Sequence, residues 1–412
     1  MLRNLLVLLL LVSLARAEPS AVETLLSREL TSDSAVQVAL LNNPAVQALY
    51  RQVDISQADL EQASLLVNPV FSTSVRFPDQ SGLPTNTEFG LSWNLLDLLR
   101  RGDREAVAST QLRQARLEVE DRLLEFRQEV QEAYYHYQAH RQSVDQLEIV
   151  LQASHAAREL HQRQYKAGNI PQVALAQAEA VELDARIQLD QARYRLEQHQ
   201  VRLNLLLGLA PERKLEVSKL SDIPTQEVAL EGLEERALKD RPDLAVARLE
   251  VEADQQNLTL EAGGLLDEVS FDVSRESEAE AGGPIVTGPG LQFPVPIFDR
   301  RQGRVEHYRA KTEQSRQLLD SRQQRVRSEV RIAISQLAAA RLKVEQLRDQ
   351  MIPKRRQILL LSRPYYDSML LGIYQLLELR QDLARARLEL LEAIADYWSA
   401  RAHLERTIGG RL

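Results

Sequence analysis

Glu132, His136 and His140 recur every four residues, so in a helix they share one face, and two imidazoles at that spacing are acceptable to zinc. The same spacing on a very long helix is equally a solvated or lumen-facing stripe. His155 and His161 are six apart and share no face. With three methionines, no cysteine and no denser histidine cluster, no metal and no cofactor is assigned. Catalytic signatures are missing too. There is no G-x-S-x-G, H-E-x-x-H, Walker loop or dinucleotide fingerprint, and the pairs Gly263-Gly264 and Gly282-Gly283 fall at turns. The chain reads as a non-enzyme.

The elements that carry these residues are written twice. Ala39-Leu40, Pro44 and Val46-Gln47 return at Ala237-Leu238, Pro242 and Leu244-Ala245, offset by 198. Asp97, Gly102, Gly168 and Gly208 return as Asp299, Gly303, Gly372 and Gly409, so each copy is one structural unit that needs another to bury its faces. From Gly102 to about Lys166 there is neither proline nor glycine, and helix formers dominate. These roughly 64 residues make a rod of about 95 Å. Leu112, Val119, Phe126 and Ala133 repeat at seven, as do Leu123, Val130, Tyr137, Val144 and Leu151, a coiled-coil pattern. Gly168 and Pro171 cap one helix and begin a return to Leu207. The second copy runs from Gly303 toward Leu361 through Leu319, Val326, Val330, Ala333, Leu337, Val344 and Leu347, and returns over 374–408. Pro353 predicts a kink, and 363–372 a longer, aromatic turn.

Before each hairpin the period changes to two. Phe71, Val75 and Phe77 alternate with Ser72, Ser74 and Arg76; Phe89, Leu91, Trp93 and Leu95 alternate with Glu88, Gly90, Ser92 and Asn94. Val269, Phe271 and Val273, then Leu291, Phe293 and Val295, form the second set. These are two β-hairpins, over about 69–96 and 268–297. Strands apolar on one side and small or polar on the other fit either the edge of a soluble sheet or a barrel wall with lipid outside and water inside. Four strands enclose no usable lumen, and open edges are prohibitive in hydrocarbon, so a barrel would be completed between subunits.

Residues 1–17 carry a basic Arg3, an apolar run Leu5–Val12 and Ala15-Arg16-Ala17, the pattern of a cleaved export signal. Its removal takes the formal charge from −8 to −10 by loss of Arg3 and Arg16, which argues against a nucleic-acid partner. Without cysteine there is neither disulfide framework nor lipid-bearing thiol. The expected organisation is a signal over 1–17, a first repeat over 18–208 with its helical hairpin at 102–208, a linker over 209–236, and a second repeat over 237–412 with its hairpin at 303–408.

Asn42-Asn43-Pro44, Arg241-Pro242-Asp243-Leu244, the run from Phe293 to Gly303 (FPVPIFDRRQG), Tyr165-Lys166-Ala167-Gly168 and Ala395-Asp396-Tyr397 occur in an order, and in duplicate, that resembles the TolC-type outer-membrane efflux proteins over essentially the whole mature length. The FPVPIFDRRQG run is most similar to the branch that includes heavy-metal efflux components. The resemblance implies a mainly α fold with β: a homotrimer in which four strands per chain make a 12-stranded outer-membrane barrel, continued by a periplasmic tunnel of coiled-coil hairpins. It implies a passive export channel of a tripartite system, with a periplasmic adaptor (membrane fusion protein) and an inner-membrane pump of RND type as partners. It places Glu378 and Asp382 at a periplasmic gate, although they also suit a helix face paired with Arg380 or Arg385, and the first half has Val173 and Ala174 at the matching positions. It puts Tyr165, Gly168, Leu371 and Gly372 at adaptor-docking tips, and Phe89, Leu91, Trp93, Leu95, Leu291 and Phe293 against lipid. The other reading of the same residues is a secreted or periplasmic coiled-coil scaffold or adaptor with its strands in a soluble sheet.

Overall fold

The computed structural model describes residues 19–412 other than 78, 80–84, 226–229, 264–268, 278–284, 294, 296 and 369. The export signal over 1–17, Gly264 and the Gly282-Gly283 pair lie outside the described residues. Described elements run α1 (Pro19–Leu26), α2 (Ser32–Asn42), α3 (Pro44–Ala63), β1 (Val70–Arg76), β2 (Asn86–Asn94), α4 (Leu95–Lys166) and α5 (Gln172–Leu207). The series then repeats as α6 (Leu233–Asp240), α7 (Pro242–Gly263), β3 (Ser270–Ser277), β4 (Ile285–Gln292), α8 (Gln302–Glu345), a π-helical turn (Gln346–Met351), α9 (Ile352–Asp367) and α10 (Ile373–Thr407). Two compact units result. One takes the chain up to Tyr50 with Glu120–Arg241 and Gln324–Leu412; the other takes Arg51–Val119 and Pro242–Gln323.

In the first unit the seven-residue seams are the core. Leu123, Val130, Ala133, Tyr137 and Val144 are buried, as are Val326, Val330, Ala333, Leu337, Val344 and Leu347. Val130, Ala133 and Tyr134 of α4 meet Leu203 and Leu207 of α5, with Val38 and Ala39 of α2 and Leu215 and Val217 of the linker closing the cluster. The Tyr134 hydroxyl donates to the Leu30 carbonyl at 2.7 Å and lies 2.9 Å from the Ser218 hydroxyl. Burial pushes that phenol up to about 12.

The duplication survives as two matching joints. At the first, Asn42 Nδ2 donates to the carbonyls of Leu207 and Gly208 at 2.9 and 2.7 Å, and Asn43 Nδ2 to that of Leu206 at 2.9 Å. These side chains satisfy carbonyls that the end of α5 leaves without helical partners. At the second, Arg241, 5% exposed, reaches the Thr407 carbonyl at the end of α10 and pairs with Glu329 at 2.6 Å. Both helices close in a Schellman motif: Leu209 N–H bonds to Asn204 O and Gly410 N–H to Glu405 O, each at 2.9 Å. Gly208 (φ 68°) and Gly409 (φ 75°) supply the left-handed residue. A side chain on either would strike backbone, Asn42 O at 2.6 Å or Asp240 O at 2.9 Å. The polar groups at the joints differ in type, but each locks the end of a return helix.

Three expectations change. Helix α4 begins at Leu95, not Gly102, because Leu95-Leu96-Asp97-Leu98-Leu99 is rich in helix formers and lacks a β-branched residue. Strand β2 therefore ends at Asn94, and Leu95, expected on the lipid side of a strand, opens the helix; its side chain lies outside the described residues. The break expected at Pro353 appears instead as the π turn at 346–351, with helical dihedrals resuming at Ile352 (φ −62°, ψ −46°). An i→i+5 turn absorbs the missing N–H and the ring clash of the proline that follows. Helix α9 then runs through Pro364 to Asp367, so the aromatic turn is shorter than 363–372 and Tyr365 and Tyr366 are helical.

In the second unit the two hairpins join. The sheet order is β1-β2-β3-β4, antiparallel throughout, with Leu91 opposite Val273 and Trp93 opposite Phe271 where β2 meets β3. Asp254 of α7, 3% exposed, accepts from Lys311 Nζ at 3.0 Å and from the Ser315 hydroxyl. A buried carboxylate that binds α8 to α7 is thereby satisfied.

Candidate functional site: a two-faced sheet and two hairpin tips

Strand pairing sorts the side chains by face. Phe71, Phe89, Leu91, Trp93, Phe271, Val273 and Leu291 share one side, and all are exposed, from 38% for Phe271 to 65% for Phe71. The opposite side carries Ser72, Ser74, Arg76, Glu88, Ser92, Asp272, Ser274 and Glu276. Two ties cross that polar side: Arg76 to Glu88 at 3.1 Å and Asn86 Nδ2 to Glu276 at 2.6 Å. Glycine makes room on it. A Cβ at Gly290 would lie 2.5 Å from the Asp272 carboxylate, and one at Gly90 2.6 Å from the Ser72 hydroxyl. The Trp93 indole N–H donates to the Val67 carbonyl at 2.8 Å, leaving its ring 39% exposed. This inverts a soluble sheet, in which the apolar side would be the covered one. β1 and β4 are the outer strands, with no further neighbour among the described residues. Phe293 lies one residue past β4 and is exposed.

At the tips, α4 ends in Tyr165-Lys166-Ala167-Gly168, where Gly168 (φ 75°) closes another Schellman motif through Asn169 N–H to Gln164 O at 2.9 Å. Tyr165 is 40% exposed. In the second hairpin Leu370 and Leu371 donate to the Tyr365 carbonyl at 2.8 and 3.1 Å, and Gly372 N–H donates to the Gln375 side chain at 3.2 Å. The Tyr374 hydroxyl donates to the Ala174 carbonyl, fastening the start of α10 to the start of α5. His161, 1% exposed, packs against the Tyr374 ring. Glu378 is exposed. Asp382 is half-buried and accepts from Arg355 at 3.2 Å and Arg385 at 3.5 Å. Arg355, from α9, is a partner that no spacing within α10 could reveal.

The histidines gather differently from their sequence spacing. His199 of α5 stacks on His140 and His136, with centroids 4.1 and 6.0 Å apart and planes within 28°. Stacked rings do not aim their nitrogens at a common point, and among the described residues no group of three or more His, Asp or Glu is arranged to hold a metal ion. Glu132 faces Arg202 at 3.9 Å. Burial holds His140 below the usual imidazole range and His199 down at about 4, with the neighbouring imidazoles adding to both shifts. His155 instead joins Glu182, 8% exposed, which also accepts from Arg158 at 2.7 Å and Arg186 at 3.2 Å. These bonds, that from His155 foremost, hold the Glu182 carboxyl below its usual range.

Duplicated helical hairpins bearing a sheet whose exposed face is its apolar one define a class of channel-forming proteins rather than of enzymes. The outer membrane efflux protein family matches residues 35–209 and 233–410, and the chain belongs to it. That family consists of efflux channels, which are transporters and not enzymes. The cobalt-zinc-cadmium resistance protein CzcC of Cupriavidus metallidurans is 21% identical over 386 residues, covering 92% of this chain and 90% of CzcC. Among solved structures, CusC matches at 18% identity with a TM-score of 0.78, covering 92% of both chains. The Campylobacter jejuni CmeC outer membrane channel matches at 15% and 0.77, over 92% of this chain and 85% of that one. The open-state Neisseria gonorrhoeae MtrE outer membrane channel matches at 17% and 0.75, over 92% and 89%. At these identities the likeness is one of fold.

Proposed function

We propose that three copies of this chain form the outer-membrane exit duct of a tripartite efflux machine. An inner-membrane pump of the RND type supplies the energy, and a periplasmic adaptor docks on the hairpin tips around Tyr165, Gly168, Leu371 and Gly372. The supporting observation is the sheet: apolar outward, polar inward, with two outer strands that hydrocarbon does not tolerate unpaired. Three sheets joined β4 to β1 satisfy every edge, set Phe89, Leu91, Trp93, Leu291 and Phe293 against lipid, and line a water-filled passage with serines and carboxylates. Transport through it is passive, because its wall offers solvation and no reacting group. The constriction lies at the start of α10, where three copies of Glu378, and of Asp382 when released from Arg355 and Arg385, surround an axis and repel one another. Opening is a shift of tip packing that the adaptor favours by binding the open form better. The name of CzcC makes cobalt, zinc and cadmium ions the first cargo to try, exported as substrate and not held as cofactor.

Since the chain contains no cysteine, the pairing of β4 with β1 is directly testable. Ser74→Cys in β1 with Gly288→Cys in β4, both on the polar side of the sheet, treated with a short bis-maleimide in outer-membrane fractions, should give covalent dimers and trimers and nothing larger. Each single variant should give neither. Monomers alone from the double variant refute the assembly, and a deletion strain no more sensitive to cobalt, zinc or cadmium refutes the cargo.

A further inference from the structure

Where the sheet ends and the long helices begin, both halves of the chain carry the same triplet of arginines: Arg100, Arg101 and Arg104 within the first three turns of α4, and Arg300, Arg301 and Arg304 around the start of α8, at a constant offset of 200. Three of the six brace the junction. Arg100 donates to the Gly263 carbonyl at 3.0 Å, Arg104 to the Leu65 carbonyl at 3.5 Å, and Arg301 pairs with Glu261 at 3.3 Å. Arg101, Arg300 and Arg304 are exposed, and Arg304 approaches an exposed Asp299 at 3.8 Å. Beside these cations the chain exposes large apolar groups. Val295, Ile297 and Phe298 follow β4 at 67%, 62% and 91% exposure, and Leu65, Leu66 and Val67 precede β1. Val67 is fixed at this end of the sheet by the Trp93 indole.

We infer that this belt seats in the phospholipid headgroup layer at the periplasmic side of the membrane, with Phe298 and Ile297 in the upper acyl region and Arg101, Arg300 and Arg304 on lipid phosphates. The inference rests on the barrel reading above. Three features select a lipid surface over other occupants. The belt continues the apolar series of the sheet, since Phe293 comes two residues after Leu291 at the period of the strand. Its charge is net cationic, six arginines against Asp97, Asp103 and Asp299 over 95–104 and 295–304, in a chain of net negative charge. Arginine offers the planar fork that grips a phosphate with two bonds, and its stem can lie along acyl chains while the head stays in the phosphate layer. In a chain without cysteine, and so without a thiol-borne lipid, such a belt supplies vertical registration.

The test uses the full-length protein reconstituted in phosphatidylethanolamine–phosphatidylglycerol vesicles, with one fluorophore on Phe298→Cys, on Ile297→Cys or on Leu91→Cys. Nitroxide lipids carry the quencher on the headgroup or near the acyl terminus. The labels at 297 and 298 should be quenched at least about twofold more by the headgroup nitroxide, and the label at 91 more by the acyl one. Arg101→Gln, Arg300→Gln and Arg304→Gln together should cut headgroup quenching at 298 by about twofold while leaving that at 91 unchanged. Quenching at 298 by aqueous iodide alone places the belt in water and overturns the inference. Shielding from both lipid nitroxides and from iodide shows a second copy covering it, and also overturns it. In both cases lipid quenching at 91 would show that the barrel reading stands. Loss of lipid quenching at 91 itself removes that reading and the inference with it.

Discussion

Gly208 and Gly232 share a left-handed backbone, at φ 68° and 73°, but only Gly208 has something above it: the Asn42 carbonyl at 2.6 Å from a built Cβ, against open space at Gly232. The strain of the left-handed region is common to both and amounts to about 1 kcal/mol for alanine. The collision is specific to Gly208 and adds displacement of the joint that satisfies the end of α5. Gly208→Ala should therefore lower unfolding stability by about 2–4 kcal/mol and Gly232→Ala by about 1, read as a difference in denaturant midpoint. His199 sets a pH window. Its folded pKa of about 4 lies below the ordinary 6.5, so between those values the unfolded chain binds a proton that the folded one refuses. Stability should fall as pH drops from 6.5 toward 4 and level off below. His199→Gln should flatten that part of a melting-temperature profile, and an unchanged slope would show that the stacked rings are not what acid attacks.

At the scale of elements, the α4–α5 and α9–α10 hairpins are fastened at their tips, among the described residues, by the bond from the Tyr374 hydroxyl to the Ala174 carbonyl. A single neutral hydrogen bond contributes about 0.5–1.5 kcal/mol, enough to change a two-state population by roughly 2- to 10-fold. Tyr374→Phe keeps the ring against His161 and removes only that bond. Its planar-bilayer conductance should show a raised open fraction at unchanged melting temperature; identical conductance would mean that this bond does not hold the tips. The π turn is a second difference between the hairpins. It has no counterpart in the first, and it aims Arg348 at Asp222 of the linker, 3.1 Å away.

For the whole molecule, the decisive property is that the sheet's apolar side is its exposed side. Adjacent residues on β2 then answer opposite questions. Leu91→Arg places a guanidinium where hydrocarbon is proposed, at about 2–4 kcal/mol per copy near mid-membrane, and should abolish recovery of trimer from outer membranes. Ser92→Arg points to the polar side and should assemble normally while lowering conductance to cations. If both assemble equally, the two faces do not separate lipid from water.

Much of this architecture is local in origin, and so the chain alone determined it. The seven-residue seams from Leu112 to Val144 and from Val326 to Val344, the alternation through Phe89, Leu91 and Trp93, and the glycines that end α4, α5 and α10 depend on neighbours within a few residues. The duplication, too, needed only the sequence. Tertiary structure decided whatever joins distant segments: Leu91 to Val273, making one sheet of two hairpins; His199 under His140; Arg355 on Asp382; Tyr374 on Ala174. It also decided where strand yields to helix at Asn94-Leu95, because a leucine-rich stretch suits either period until packing selects one. A side chain's period records which face it shares with its neighbours, but not what that face meets, since the partner is set by closure of the chain over a hundred or more residues.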